Sequence, residues 1–199
     1  MNRYSSIWLV VAALSGAFSA KAGVIGQVKN VVPSTIRVSP GGEHVLAVTV
    51  DSRTQKRRVN LDGTLLPGSY DDIAKGTPFF SEDGQRHAFV GTRGTNCMVV
   101  VDGVEQPSYA MTTNRWPITG LVFGSDGSKT HLAYQVSEKD KHAVVVNGKK
   151  LGAYDSIKGG LPGIWDFYFE GSYFAYRAKV GDKMVACRGH VDGDKVHLV

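Results

Sequence analysis

Histidine and cysteine are the side chains in this sequence best suited to bind a metal or attack a substrate. His44, His87 and His131 precede a recurring alanine by three, one and two residues, so their offsets do not define a shared ring of ligands. His190 and His197 are seven residues apart beside aspartates, a wider spacing than zinc pairs use. A solvated terminal strand explains them, and we predict no metal site.

Catalytic patterns are equally sparse. No G-x-S-x-G nucleophile elbow and no D-x-D-x-D calcium loop occurs. The acidic residues Asp51, Glu138, Asp140 and Asp182 fall in separate loops and do not form a converging pair. Cys97 and Cys187 are predicted to be buried or half-buried free thiols. We therefore predict no catalytic residue and no cofactor, and leave enzyme activity open.

The N-terminus has the features of an export signal. Met1–Arg3 is basic, Ile7–Phe18 is mostly apolar, and Ala20-Lys21-Ala22 provides the small residues read by a signal peptidase. Cleavage before Gly23 would leave 177 residues with 21 basic and 18 acidic side chains, a net charge of +3. The sequence predicts a protein of the periplasm or the extracellular space, without stable membrane insertion, because no apolar run is long enough to span a bilayer.

Residues 23–199 contain four copies of one unit. Each copy opens with a turn, at Ser39–Gly42, Ser81–Gly84, Ser125–Gly127 and Glu170–Ser172. A strand follows with an alanine at 47, 88, 133 and 175, and a second strand ends at a turn glycine at 63, 103, 148 and 189. Two independent landmarks thus repeat at 40 to 45 residues. Asp-Gly and Asn-Gly after alternating apolar residues favour hairpins.

A period of this length with four strands per unit is typical of a β-propeller blade. We predict an all-β fold, one propeller domain over residues 23–199 with four four-stranded blades near 34–73, 77–112, 118–157 and 163–199. Residues 24–32 are predicted to add the outer strand of the last blade and close the ring, a role for which the C-terminal segment competes. The alternative is an open half-ring completed by dimerisation.

The second and third copies also carry a family resemblance. Residues 80–90, then Val-Val-Val-Asp-Gly at 99–103 and Ser-Tyr-Asp-Asp-Ile at 69–73, resemble the TolB-type, WD-like propeller repeats of bacterial exported proteins. The first copy departs from the pattern with Pro-Gly-Gly, and the fourth lacks the Asp turn. This resemblance implies a scaffold for binding.

One loop face of such a propeller is predicted to be basic. The loops that enter each blade, and those between its second and third strands, have about twice as many basic as acidic residues. Trp and Arg are enriched at binding hot spots, and a basic rim favours an acidic partner. The predicted partner-binding residues are Arg115, Trp116, Trp165, Lys158, Lys75 and Arg93.

The predicted function is therefore an exported, non-catalytic binding or assembly module that engages a protein or an acidic surface. The alternative is a hydrolase or lyase acting on an extracellular glycan or peptide at the axial mouth, which a propeller fold alone does not exclude. Nucleic acid is not a predicted partner, because the basic loops lack interleaved aromatic residues. The protein is predicted to be a monomer or a homodimer.

Overall fold

The computed structural model describes residues 7–13, 21–111, 116–155 and 164–199. These residues form twenty strands and one 3-10 turn at Pro33–Thr35, with no α-helix among them. The all-β prediction is therefore confirmed. In this part of the chain no helix is long and apolar enough to span a bilayer. The chain divides into two compact units, Met1–Gln106 and Pro107–Val199.

The first two strands form a hairpin of their own. β1 (Ile7–Ala13) pairs antiparallel with β2 (Lys21–Val28), and the register shifts at Leu9 and Val10. β2 thus includes part of the segment predicted to close the ring. Signal cleavage and ring closure stay predictions.

The first sheet contains four antiparallel strands in sequence order. They are β3 (Arg37–Val38), β4 (Val45–Val50), β5 (Arg57–Leu61) and β6 (Thr64–Leu65). β4 is buried along its whole length because both faces of the sheet are covered. Leu46 and Val48 face the core shared with the second sheet, whereas Ala47 packs with Val28 and Val31 on the other side.

The second sheet has an inner strand in two pieces. The strands are β7 (Asp72–Ile73), β8 (Phe79–Phe80), β9 (His87–Arg93), β10 (Asn96–Val101) and β11 (Val104–Glu105). Both β7 and β8 pair with β9, and the loop between them contains the cis Thr77–Pro78 bond. Proline is tolerated here because an edge strand leaves one row of N–H groups unused.

The second unit begins with the short strand β12 (Tyr109–Ala110) and contains two regular sheets. The third sheet is β13 (Ile118–Ser125), β14 (Thr130–Glu138), β15 (Lys141–Val146) and β16 (Lys149–Asp155). The fourth is β17 (Ile164–Glu170), β18 (Tyr173–Val180), β19 (Lys183–Asp192) and β20 (Lys195–Leu198). Each sheet is antiparallel in sequence order. The prediction of four four-stranded blades is confirmed, with β7 and β8 together taking the place of one inner strand in the second sheet.

The turn residues of the repeat explain the hairpins. Asp62, Asp102 and Asn147 have φ values of 51°, 51° and 47°, and each precedes a glycine with positive φ. Asp and Asn tolerate this conformation better than other side chains. One side-chain oxygen of each also accepts a hydrogen bond from the start of the preceding strand, at Val45, His87 and Leu132 over 2.7, 2.8 and 3.0 Å.

Each unit has one main core between its two sheets. In the first unit, buried apolar side chains of the two sheets meet around Tyr70 and Phe89, whose rings pack edge to face at 5.3 Å. In the second unit, the core lies around Tyr154 and Tyr176. Face-to-face packing of neighbouring sheets buries the apolar residues that alternate along each strand.

Candidate functional site

The structure describes four of the six predicted binding residues. Arg115 and Lys158 lie outside the described residues. Trp116 is half-buried just before β13, and Trp165 lies in β17. Lys75 is exposed in the loop that interrupts the inner strand of the second sheet, and Arg93 is exposed at the end of β9. Their role as partner contacts stays a prediction.

Arg93 is already engaged within the first unit. Its guanidinium donates to both carboxylate oxygens of Glu105, at 3.2 and 2.5 Å, and lies 5.3 Å from the centre of the Tyr70 ring. The Arg93 hydrogen bond lowers the pKa of Glu105, and burial together with the Glu105 hydrogen bond raises the pKa of Tyr70. A partner would meet a bidentate ion pair here rather than a free cation.

A carboxylate joins the neighbouring loops of the first unit. One oxygen of Asp71 accepts a hydrogen bond from the Lys56 ammonium, and the other accepts one from the Gly94 amide over 2.7 Å. Lys56 precedes the third strand of the first sheet, whereas Gly94 lies in the turn between β9 and β10. These hydrogen bonds lower the pKa of Asp71. They hold the two loops side by side.

The second unit repeats the same arrangement. Asp155 accepts hydrogen bonds from the Lys141 ammonium and, over 2.6 Å, from the amide of Gly181. Both bonds lower the pKa of Asp155. The aspartate of the repeated Tyr-Asp pair therefore links two sheets in each unit. The sequence repeat did not reveal these links, because the residues that donate to the aspartate are remote in sequence.

Several cations near these loops remain without an ion pair in the part of the chain that the structure describes. They are Arg53, Lys75, Lys139 and Lys183, all exposed. By contrast, Lys56, Arg57, Arg93, Lys141 and Lys150 each have an acidic partner. Four of these acidic partners, Asp71, Asp72, Glu105 and Asp155, lie outside the loops considered in the sequence and reduce the predicted basic excess.

A polar cavity lies beside the loop of Arg53. Its volume is about 280 Å³, and Lys29, Asp51, Arg58 and Asn60 are among the residues lining it. The Arg58 side chain is held by a hydrogen bond from Nη2 to the Leu66 carbonyl at 3.2 Å. Its Nε is buried and has no hydrogen-bond partner among the described residues. An unused donor of this kind is suited to an acceptor atom of a ligand.

Asp51, the acidic residue that lines this cavity, and Asn60 are both restrained by hydrogen bonds. The Asp51 carboxylate accepts hydrogen bonds from the amides of Arg53 and Thr54, at 2.9 and 2.8 Å, which lowers its pKa. Asn60 Oδ1 accepts from the Gly63 amide at 2.9 Å. Asp51 is therefore committed to shaping the loop, while Lys29 and Arg58 supply positive charge to the cavity.

At the strand ends opposite these loops, one position recurs in three sheets and was not recognised from the sequence. His44 Nδ1 lies 2.7 Å from Asp62, Arg86 Nε donates to Asp102 at 2.8 Å, and His131 Nδ1 lies 3.0 Å from the side-chain nitrogen of Asn147. The recurring alanine did not show this equivalence, because His44 precedes Ala47 by three residues whereas Arg86 and His131 precede their alanines by two.

Cys97 is buried and Cys187 half-buried, and neither forms a disulfide within the described residues. The Cys187 thiol lies 3.6 Å from the Tyr154 hydroxyl. No group of three or more His, Cys, Asp or Glu side chains within the described ranges could hold a metal ion.

No protein-family model matches this sequence, and no curated protein is similar to it. Among solved structures, the β-propeller domain of the Trilobed protease from Pyrococcus furiosus matches 85% of this chain and 58% of its own, with 11% identity and a TM-score of 0.50. A eukaryotic initiation factor matches 80% and 42%, with 12% identity and a TM-score of 0.43. Hydrazine synthase from Kuenenia stuttgartiensis matches 83% and 53%, with 12% identity and a TM-score of 0.32.

This chain therefore spans 58% of the length of the protease propeller domain that it matches. At such low identity the likeness concerns the fold alone. Together with the four four-stranded sheets, it shows that this chain has the fold of a β-propeller.

Proposed function

We propose that this chain is an exported, non-catalytic binding module whose partner presents an acidic group to the first sheet. The observation that supports this most is the Arg58 side chain, which lines a polar cavity and whose buried Nε has no hydrogen-bond partner among the described residues. A carboxylate is the natural acceptor for such a donor, because charge-assisted hydrogen bonds to guanidinium are stronger than neutral ones.

The surroundings of Arg58 favour an acidic rather than a neutral group. Lys29 lines the same cavity, and the exposed Arg53 side chain lies in the adjoining loop without an ion pair. The cavity is also preorganised, because the Asp51 hydrogen bonds fix the loop and the Leu66 carbonyl holds Arg58 before any partner binds. Preorganisation lowers the entropy cost of binding. The other proposed partner contacts, each within its own unit, are Arg115, Trp116, Lys158, Trp165 and Lys75.

The test is the binding of a fluorescent polyglutamate peptide to the purified protein at several salt concentrations. Binding should weaken as salt rises, since screening reduces the attraction between exposed charges. Arg58→Gln should weaken it about tenfold or more, the scale of one hydrogen bond to a charged group. Lys129→Gln, which removes an exposed cation on a turn of the third sheet, is the matched control and should bind like the wild type.

Equal binding by Arg58→Gln and wild type, with both proteins folded, would contradict the assignment of the cavity. The hydrolase or lyase alternative predicts turnover of a glycan or peptide, which mass spectrometry of the products would detect. Export is tested separately: the mature protein from the expressing host should begin at Gly23.

A further inference from the structure

Within the described part of the second unit, one face of the fourth sheet is exposed, opposite the core that it shares with the third sheet. Along β18, Tyr173, Ala175 and Arg177 are exposed, while Phe174, Tyr176 and Ala178 are buried in the core of the unit. Strand alternation places the first three residues on one face and the last three on the other. Five of the nine exposed large apolar side chains of the described chain lie on strands of this sheet, and a sixth follows its last strand: Tyr168, Tyr173, Val180, Met184, Leu198 and then Val199.

We define the terminal face as the surface formed by Tyr168, Glu170, Tyr173, Ala175 and Arg188. The strand register supports the grouping, because Ala175 lies opposite both Tyr168 and Arg188, and Glu170 lies opposite Tyr173. Residues directly opposite each other in antiparallel strands share a face. Tyr168 is 65% exposed and Tyr173 68% exposed, values that are high for aromatic side chains of a folded sheet.

A hollow of about 420 Å³ lies on the terminal face, lined by these residues together with Phe174, Gly189 and Val199. Ala175 contributes almost no side-chain bulk to this face, whereas Tyr168 and Tyr173 are large. A hollow of this size holds a tyrosine ring.

We propose that the terminal face is the interface of a two-fold symmetric homodimer, in which Tyr173 of each copy enters the hollow of the other. Tyrosine and arginine are enriched at interface hot spots, which matches the composition of this face. An isologous contact requires one self-complementary surface, and this face presents both a protruding ring and a hollow.

Charge also favours a second copy. Glu170 and Arg188 both lie on the terminal face, and neither has an ion-pair partner among the described residues. Two-fold symmetry brings Glu170 of one copy towards the partner's Arg188 and forms two equivalent pairs. A partner with a strongly acidic or basic surface would instead leave one of these charges facing its own sign.

The available area suits a modest dimer. Four strands spaced about 4.8 Å apart and about eight residues long, at about 3.3 Å per residue, cover roughly 500 Å² per copy. The two copies together would bury roughly 1,000 Å², which is near the lower limit for a specific interface. The outer face of the first sheet does not present an equivalent apolar surface, because Val28, Val31 and Ile36 already cover Ala47 there.

The experiment is analytical ultracentrifugation of the purified full chain over a dilution series. A reversible dimer with a dissociation constant in the range of about 1–100 μM is expected for an interface of this area. Tyr173→Lys should weaken dimerisation at least about tenfold. Val104→Lys, at a side chain 63% exposed on the second sheet, is the matched control and should dimerise like the wild type.

Charge exchange tests the symmetry directly and does not depend on Tyr173. Glu170→Arg and Arg188→Glu should each weaken the dimer, because like charges then meet across the two-fold axis, and the double variant should restore it. Circular dichroism checks that every variant is folded. A wild type that stays monomeric at every concentration, or a double variant no better than the single ones, would overturn the proposal.

Discussion

The carboxylate of Asp71 accepts a hydrogen bond from the amide of Gly94 over 2.7 Å and so joins the first sheet to the second. Asp155 and Gly181 reproduce the contact at 2.6 Å in the second unit. Asp71 also accepts a hydrogen bond from Lys56, which precedes β5 of the first sheet, and Asp155 accepts one from Lys141 of its own sheet. The Tyr-Asp motif therefore links neighbouring blades as well as ending the repeat.

Replacing Asp71 or Asp155 with Asn should lower the thermal unfolding midpoint at neutral pH, because the charge paired with lysine is lost. Both carboxyl groups have a pKa below the ordinary 3.8. Their stabilising effect is thus present above about pH 4 and is lost as the pH falls through the lower pKa of the folded state. The difference between wild type and variant should shrink in acid, as differential scanning calorimetry would show. Asp192→Asn, at an exposed position, should change little at any pH.

Gly91→Ala should destabilise the first unit. A β-carbon at this position would lie 2.6 Å from Cδ1 of the Tyr70 ring, which is fully buried. The ring cannot move freely, because its hydroxyl donates to Glu105 at 3.0 Å and its edge packs on Phe89. Overpacking of this kind costs about 1–3 kcal/mol, measurable by urea unfolding.

Gly41→Ala is the control for this substitution. The nearest atom to a β-carbon at Gly41 is the Glu43 side chain at 3.8 Å, so its effect should stay within about 0.5 kcal/mol. Equal stability of the Gly91 and Gly41 variants would show that the Tyr70 ring relaxes without cost.

The hydroxyls of Tyr154 and Tyr176 form a hydrogen bond of 2.5 Å in the core of the second unit. Changing either residue to Phe should cost about 1 kcal/mol, since the remaining hydroxyl loses this buried partner. The double change should cost less than the sum of the two, because it leaves neither hydroxyl in the core. A double-mutant cycle from urea unfolding measures this coupling, and strict additivity would refute it.

His87 should make folding sensitive to pH. Burial lowers its pKa below the ordinary 6.5, although Asp102 at 3.5 Å acts in the opposite direction. The unfolded chain therefore binds a proton that the folded chain resists, so stability is complete above pH 6.5 and falls as the pH drops below it.

His87→Phe removes the titrating group and the Nε2 atom, which is buried without a hydrogen-bond partner in the described chain. The variant should lose less stability than the wild type between about pH 7 and pH 5, a window set by the lowered pKa. Thermal unfolding at both pH values measures this difference. Parallel losses in the two proteins would assign the pH dependence to other groups, such as His142, whose pKa burial also lowers.

Local sequence determined the strands and their turns. Asp62-Gly63, Asp102-Gly103 and Asn147-Gly148 follow alternating apolar residues, and each forms the positive-φ turn that these residue types favour. The spacing of these turns was enough to predict four four-stranded sheets, because strand pairing within a hairpin depends on neighbouring residues.

The candidate sites depended on the tertiary structure. Arg93 is a predicted partner-binding residue, and only the fold shows that Glu105 and Tyr70 lie against it. The Arg58 cavity and the terminal face likewise carry no local pattern, since each forms from segments that meet only after folding. Periodicity shows which side of a strand is apolar, whereas only the packing of sheets decides which polar atoms find partners and which faces remain uncovered.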